Sequence, residues 1–268
     1  MNAFKHSSLM SAPEATLKLE PLMDTGGAPL YRQVKRTLIK LIESGQYGPA
    51  DCLPSETTIA NGLKVSIGTL RKAVDELVME NVLIRRQGKG TFVAMHNNDR
   101  FLFQFFHVER RGLELQQERE YPSVECVSFE KLRADEDEAH ALNIRENDPV
   151  FRIGNRLKLS GRPVVFDRLT ISSATFKGLT EKRFMEREST VYHLYQRDFG
   201  ITVLRAQERA RATTASKEVS RLLGVAPGLP VMEVHRIALT FGDKPVEYRV
   251  STINTQDHDY VSLLAKRM

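Results

Sequence analysis

Between Leu53 and Val93 the hydrophobic period of the chain changes, and that change restricts the folds open to it. Two short segments carry apolar residues three and four apart, the spacing of amphipathic helices. Two β-rich arms follow, joined through Gln87-Gly88-Lys89-Gly90. The order is helix, tight turn, helix, hairpin. That is a helix-turn-helix with a basic wing, a shape suited to DNA grooves.

Each piece has a local cause. Pro54 ends an extended segment, Ser55 is a good N-cap, and Glu56 suits the positive end of a helix dipole. Ile59 and Leu63 supply the buried side of the first helix, and Gly62 with Lys64-Val65 forms the turn. Ser66 caps the second helix, whose apolar stripe is Leu70, Ala73, Val74, Leu77 and Val78. Its other face starts with Ser66, Gly68, Thr69, Arg71 and Lys72. Small residues there admit a close approach to DNA, and the hydroxyls and cations reach phosphates or base edges. Val82-Leu83-Ile84 and Thr91-Phe92-Val93 form the hairpin arms, with positive charge from Arg85, Arg86 and Lys89. A preceding helix, Leu30 to Glu43, aligns Leu30, Val34, Leu38, Leu41 and Ile42 and stops at Ser44-Gly45.

Charge agrees with an anionic partner. The chain carries a net +5, and residues 28–96 hold ten Lys/Arg against six Asp/Glu, a local +4. Cys52 and Cys126 are the two cysteines, far apart, which excludes a disulfide framework and fits a reducing cytosol. The seven histidines make no HxxxH pair, and there is no GxSxG, phosphate loop or dinucleotide fingerprint, so no metal or cofactor is expected. No apolar run approaches the roughly 20 residues of a membrane span. The expected location is therefore cytoplasmic, with no membrane partner. Residues 1–27 mix Ser, Ala, Pro, Glu and Gly without period and read as a flexible leader.

Residues 29–94 resemble the winged-helix domain of GntR-type bacterial transcriptional regulators. The resemblance rests on Pro29-Leu30-Tyr31, Leu53-Pro54-Ser55-Glu56, Val65-Ser66, Thr69, Arg71, Glu76-Leu77 and the run from Arg86 to Val93. It implies DNA binding through Ser55, Glu56, Ser66, Thr69, Arg71, Lys72, Arg86, Gly88, Lys89 and Gly90. Two positions depart from the family pattern. Thr57 and Ile67 stand where basic contacts are usual, and no contact is carried onto them.

The second half contains an internal echo. Asp135–Leu142 reads as a helix, followed by a strand to Leu159, a turn at Ser160-Gly161-Arg162 and a second strand from Pro163. Ser216–Leu223 repeats this, with a strand to Phe241, a turn at Gly242-Asp243-Lys244 and a strand from Pro245. Two helix-plus-hairpin units predict an antiparallel sheet with helices packed on it, and a ligand cleft between related halves. Phe101–Phe106 reads as a further strand. Charges interrupt the strands just past each proline, at Asp167 and Arg168 and at Glu247 and Arg249, and strand alternation turns some of them inward. Arg205 and Glu208 are similar candidates, and Tyr192, on the helix before them, reads as core.

Residues 100–264 resemble the UTRA ligand-sensing domain of the HutC-like branch of GntR regulators. The carriers are Gly161-Arg162-Pro163-Val164 with Asp167, Val191-Tyr192, Arg205-Ala206, Leu223-Gly224-Val225, Pro230-Val231 and Lys244-Pro245-Val246-Glu247. The family's closing Tyr-Arg-Gly-Asp-Arg-Tyr is replaced by the run Ile253 to His258. The resemblance implies an effector site drawn from Asp167, Tyr192, Arg205, Glu247 and Arg249, with Arg152 and Arg156 as further cations in the preceding strand.

Together these features predict an α+β chain. Its parts are a leader at 1–27, a winged helix-turn-helix domain at 28–95, a linker at 96–100 and a UTRA domain, chorismate-lyase-like in fold, at 101–268. The expected protein is a ligand-responsive regulator, a repressor, that binds a palindromic double-stranded DNA operator as a homodimer and answers to a small polar effector. Two alternatives stand beside it: a small-acid lyase fused to a DNA-binding module, and a DNA-maintenance protein with no ligand.

Overall fold

The computed structural model describes residues 19–22, 29–80, 82–94, 106–112 and 120–262. Helix α1 (Leu30–Glu43) buries Val34 and Leu38. Helix α2 (Glu56–Leu63) starts at Ser55, whose hydroxyl accepts from the Thr58 N–H, and ends at Lys64 in the left-handed region at φ 54°. Helix α3 (Ile67–Met79) buries Leu70, Ala73, Val74 and Leu77, the predicted stripe except for half-buried Val78. Lys35 of α1 bridges to Glu76 of α3 at 2.9 Å and to Glu80 at 2.6 Å, clamping the first helix on the third.

Strands β1 (Leu83–Arg86) and β2 (Gly90–Val93) form the antiparallel wing. The first arm begins one residue later than its β-branched composition suggests. Val82 is used otherwise: its N–H bonds Leu77 O, and its side chain enters the core formed by Leu38, Leu63, Leu70, Leu77 and Val93. Residues 19–22, inside the stretch expected to be a leader, pack on the winged unit. Leu22 N–H donates to Leu63 O at 3.1 Å, and Leu19 and Leu22 pack on the same core. Two leucines in that stretch are enough to seat it on an apolar surface.

The second unit starts with β3 (Val108–Arg110) and β4 (Ser123–Arg133), then α4 (Glu136–Leu142), β5 (Pro149–Leu159) and β6 (Arg162–Ser172). Helices α5 (Glu181–Met185) and α6 (Val191–Phe199) follow, then β7 (Arg205–Thr214), α7 (Lys217–Leu223), β8 (Pro230–Leu239), β9 (Pro245–Ile253) and β10 (His258–Tyr260). The echo is real in three dimensions. Asp135 caps α4 with a capping box, Ser216 caps α7, and each helix leads into a hairpin. The second strands of the two hairpins pair with each other, giving an antiparallel six-stranded sheet in the order β4-β5-β6-β9-β8-β7. β3 and β10 pair separately.

Helix α4 covers one sheet face near Val150 and Tyr248. Helices α5 and α6 cover part of the other, with Phe176, Phe184, Tyr192, Leu194 and Tyr195 packed against Ile153, Leu169 and Ile171. The two units touch. Phe241, at the turn between β8 and β9, is buried in the winged unit's core together with half-buried Leu204. The Gln196 side chain of α6 donates to Ala94 O at 3.0 Å. The expected linker at 96–100 and residues 101–105 of the expected aromatic strand lie outside the described residues. Among the described residues no helix is long and apolar enough to cross a membrane.

Candidate functional site

The winged unit presents a cationic edge. Ser66 accepts from Thr69 N–H at 3.1 Å and shares a hydroxyl–hydroxyl bond with Thr69, so both predicted hydroxyls sit at the positive start of α3. Arg71 is exposed and bonded to Glu56 at 2.7 Å; Arg85 reaches both Glu56 and Asp75. Such exposed pairs contribute about 0–1 kcal/mol, so an incoming phosphate displaces them cheaply. Lys72 lies 4.2 Å over the Tyr31 ring and Arg86 4.8 Å over the Phe92 ring, which orders both cations without neutralising them. At the wing tip Gly88 has φ 69° and Gly90 φ 114°. A Cβ on Gly90 would also lie 3.1 Å from Cys52 Sγ, so glycine is required there. Ser55, Glu56, Ser66, Thr69, Arg71, Lys72, Arg86, Gly88, Lys89 and Gly90 thus fall on the α2–α3 start and the wing. Ile67, the departure from pattern, stands exposed in the first turn of α3.

The second unit holds a cavity of about 440 Å³ over the sheet face that α6 leaves open. Register builds its floor in rows. Leu157, Val165 and Ile253 stand side by side, and so do Asn155, Asp167 and Ser251 one step along. Arg249 and Arg236 are paired in the next row. Tyr192 closes the wall from α6.

Behind this floor lies a buried ionic clamp. Glu247 is 0% exposed and accepts four bonds: from Tyr192 OH at 3.1 Å, Tyr195 OH at 2.7 Å, and Arg249 Nε and Nη2 at 2.9 and 3.1 Å. Arg249 also donates to Asp167 at 3.0 Å, whose other oxygen accepts from Ser251 Oγ at 2.6 Å. Burial pushes both tyrosine hydroxyls well above their ordinary range, and the Glu247 charge adds to it, so they stay protonated donors. Burial opposes the charge on Arg249, but Glu247, Tyr192 and Asp167 outweigh it and hold the guanidinium protonated. Arg236 is fixed by Glu208, which also receives the Tyr260 hydroxyl.

The structure gathers three of the five expected effector residues, Asp167, Tyr192 and Arg249, on the cavity wall. Glu247 sits beneath that wall with its carboxylate saturated. Arg205 is not brought to the cavity: it is exposed and paired with Asp243 at 2.6 Å. Arg152 and Arg156 are tied up with Glu138 and Glu125. Asn155, Ser251, Arg236 and Arg187 also line the cavity and were not nominated from sequence. Strand alternation carries a signal for Ser251, two residues beyond Arg249, and for Asn155, between inward Ile153 and Leu157. Arg187, in the segment between α5 and α6, carries none. Among the described residues, no cluster of His, Cys, Asp or Glu could hold a metal ion.

Comparison with known proteins agrees with both halves. Residues 30–93 match the gntR family of bacterial regulatory proteins, and residues 117–259, more than half of the chain, match the UTRA domain. The chain belongs to the GntR family. The mannosyl-D-glycerate transport/metabolism system repressor MngR of Escherichia coli is 26% identical over 242 residues, covering 90% of this chain and 98% of that protein. A probable fructoselysine utilization operon transcriptional repressor, also of E. coli, is 29% identical over 222 residues, covering 81% and 87%. The ligand-binding domain of a GntR-family regulator from Bordetella bronchiseptica is 31% identical, with a TM-score of 0.56, and covers 60% of this chain and 98% of that one. This GntR chain is a transcription regulator and not an enzyme, so the lyase alternative falls.

Proposed function

We propose that the chain is a ligand-responsive repressor. It binds a palindromic operator as a homodimer, α3 and the wing of each protomer entering one half-site. A small polar metabolite in the sheet cavity modulates that binding. The working units are a reader at 28–95, a linker at 96–100 and a sensor at 101–268, acting on DNA in the cytoplasm. Arg71, Lys72, Arg86 and Lys89 meet the DNA backbone or base edges; Asp167, Tyr192 and Arg249 meet the effector.

One observation carries this reading. Helix α6 offers Tyr192 to the cavity and, four residues on, Gln196 to Ala94 at the foot of the wing. The β8–β9 hairpin does the same, with Arg249 in the cavity and Phe241 in the winged core. The same two elements thus join the cavity to the winged unit. Ligand that favours one placement of α6 shifts the reader with it, and half-site spacing on DNA converts the shift into affinity. A coupling of about 1–3 kcal/mol is the usual scale. The repressor names of the relatives support the same direction.

The test is fluorescence anisotropy of the full chain on DNA from upstream of its own gene, with light scattering for mass. Two protomers per duplex and a salt-dependent affinity are expected. A monomer on DNA, or no preference for that DNA over random sequence, refutes the proposal.

A further inference from the structure

The cavity is polar on one side and apolar on the other, and its polar side is incompletely satisfied. Arg187 donates to Phe184 O at 2.6 Å and lies 4.4 Å over the Phe184 ring, while its Nε is buried with no hydrogen-bond partner. Among the described residues no carboxylate pairs with it, whereas Arg249 meets two and Arg236 one. Asn155 is 2% exposed, and its side-chain oxygen is likewise buried without a partner. Buried groups of this kind cost stability until something bonds them. Burial holds the Arg187 pKa below its ordinary value, against the smaller raising effects of Cys126 and Tyr195, so the guanidinium is an incompletely compensated cation that an anion would stabilise.

The other side of the cavity is different. Leu157, Val165, Val234 and Ile253 form its floor. Five large hydrophobic side chains stand exposed among the described residues, and three of them, Tyr121 (40%), Val124 (46%) and Met185 (54%), line this one cavity. A cluster of exposed apolar groups marks a binding surface. A polyhydroxylated ligand would leave its hydroxyls without partners against those walls. At about 440 Å³ the cavity is also at the small end of the usual range of about 300–1000 Å³.

We propose that the effector is a small organic acid with an apolar body, its carboxylate on Arg187 and a hydroxyl donor on Asn155. This rests on the cavity being the effector site. It departs from the sugar derivatives in the relatives' names and gives roles to two residues outside the ionic clamp.

The test uses the full-length protein and calorimetric titration of hydroxyaryl and medium-chain alkyl carboxylates. 4-Hydroxyphenylacetate is the first probe, its neutral amide is the control, and N-acetylglucosamine 6-phosphate is the competitor class. The acid is expected to bind at least tenfold more tightly than the amide. Arg187→Gln should reduce the acid to the amide's affinity, and Arg187→Lys should restore part of the difference. Asn155→Ala should make hydroxylated and unhydroxylated acids equal. Thermal melts without ligand check that each variant folds, and Arg187→Lys carries the test if Arg187→Gln does not. If no carboxylate in the panel binds, or only the sugar phosphate does, the proposal is overturned. The same holds if Arg187→Gln binds the acid as well as wild type does. If acids bind through Arg187 but leave operator affinity unchanged, the cavity's preference for an organic acid stands, the acid is not an effector, and the ligand-responsive repressor reading fails.

Discussion

Replacing Glu247 by alanine removes the acceptor of four buried hydrogen bonds at once. Tyr192 and Tyr195 each lose one acceptor, and of its two carboxylates Arg249 keeps Asp167. Removing one member of a buried ionic network costs about 3–5 kcal/mol, because the remaining charge is stranded in low dielectric. For a domain of this size each kcal/mol moves the melting point by about 2–4 °C, so a fall of roughly 6–20 °C is expected. Urea denaturation and thermal melts followed by circular dichroism read this directly. Glu247→Gln, which keeps the volume but not the charge, should fall between alanine and wild type. Glu125→Ala is the control: its carboxylate bridges Arg156 and Lys158 at an exposed position, and its loss should cost less than about 1 kcal/mol. If Glu247→Ala costs no more than Glu125→Ala, the clamp is not what holds helix α6 to the sheet, and the argument is wrong. The same substitution weakens any ligand response through the fold, so melting must be measured before a response is interpreted.

Three other outcomes follow from the geometry. Arg71→Ala should weaken operator binding by about 1–3 kcal/mol if the side chain reaches a base, while Lys89→Ala should weaken all DNA alike and reduce the salt slope by about one; unchanged anisotropy titrations for both remove this surface from consideration. Gln196→Ala, which takes the donor from Ala94 O, should leave both binding sites intact but shrink the effect of ligand on DNA affinity; full coupling in that variant would show that α6 is not the link. Stability should fall on acidification. Burial opposes ionisation of Glu138 and Glu208, but Arg152 with Thr170, and Arg236 with Tyr260, outweigh it and hold both below the usual carboxylate range. The unfolded chain then takes up these protons first, so their contribution is full above the unfolded value of about 4.3 and is lost as pH falls through the folded values; flat urea midpoints from neutral pH to below 4 would contradict this.

The winged half was legible residue by residue because its signals are local. Ser55 and Ser66 cap the helices they precede, and the apolar spacing from Leu70 to Leu77 names the buried face without reference to anything distant. The echo of helix, strand, turn and proline in the second half was legible for the same reason. Each turn sits at residues that reach the left-handed region, Ser160-Gly161 and Gly242-Asp243. Sequence did not show which strands join the two hairpins. The pairing of β6 with β9 is long-range, and it alone sets Asp167 beside Ser251 and puts Arg249 one step away.

That pairing decided the site. Of charges that looked equivalent in the sequence, Arg249 and Asp167 became cavity walls and Glu247 the saturated acceptor behind them. Arg205 stayed on an edge strand facing Asp243. Arg187 gave no periodic signal, because it lies outside any helix or strand, and its Nε is buried only where other elements close over it. Periodicity and capping are written within a few residues of chain, so the sequence by itself determined the winged shape, the two helix-plus-hairpin units and the family, but not β3, β4, α5 or β10. Burial and charge compensation depend on distant partners, 84 positions apart in the Asp167–Ser251 bond and 102 in the Gln196–Ala94 bond, so only the tertiary structure decided which polar groups are satisfied and which are left without a partner.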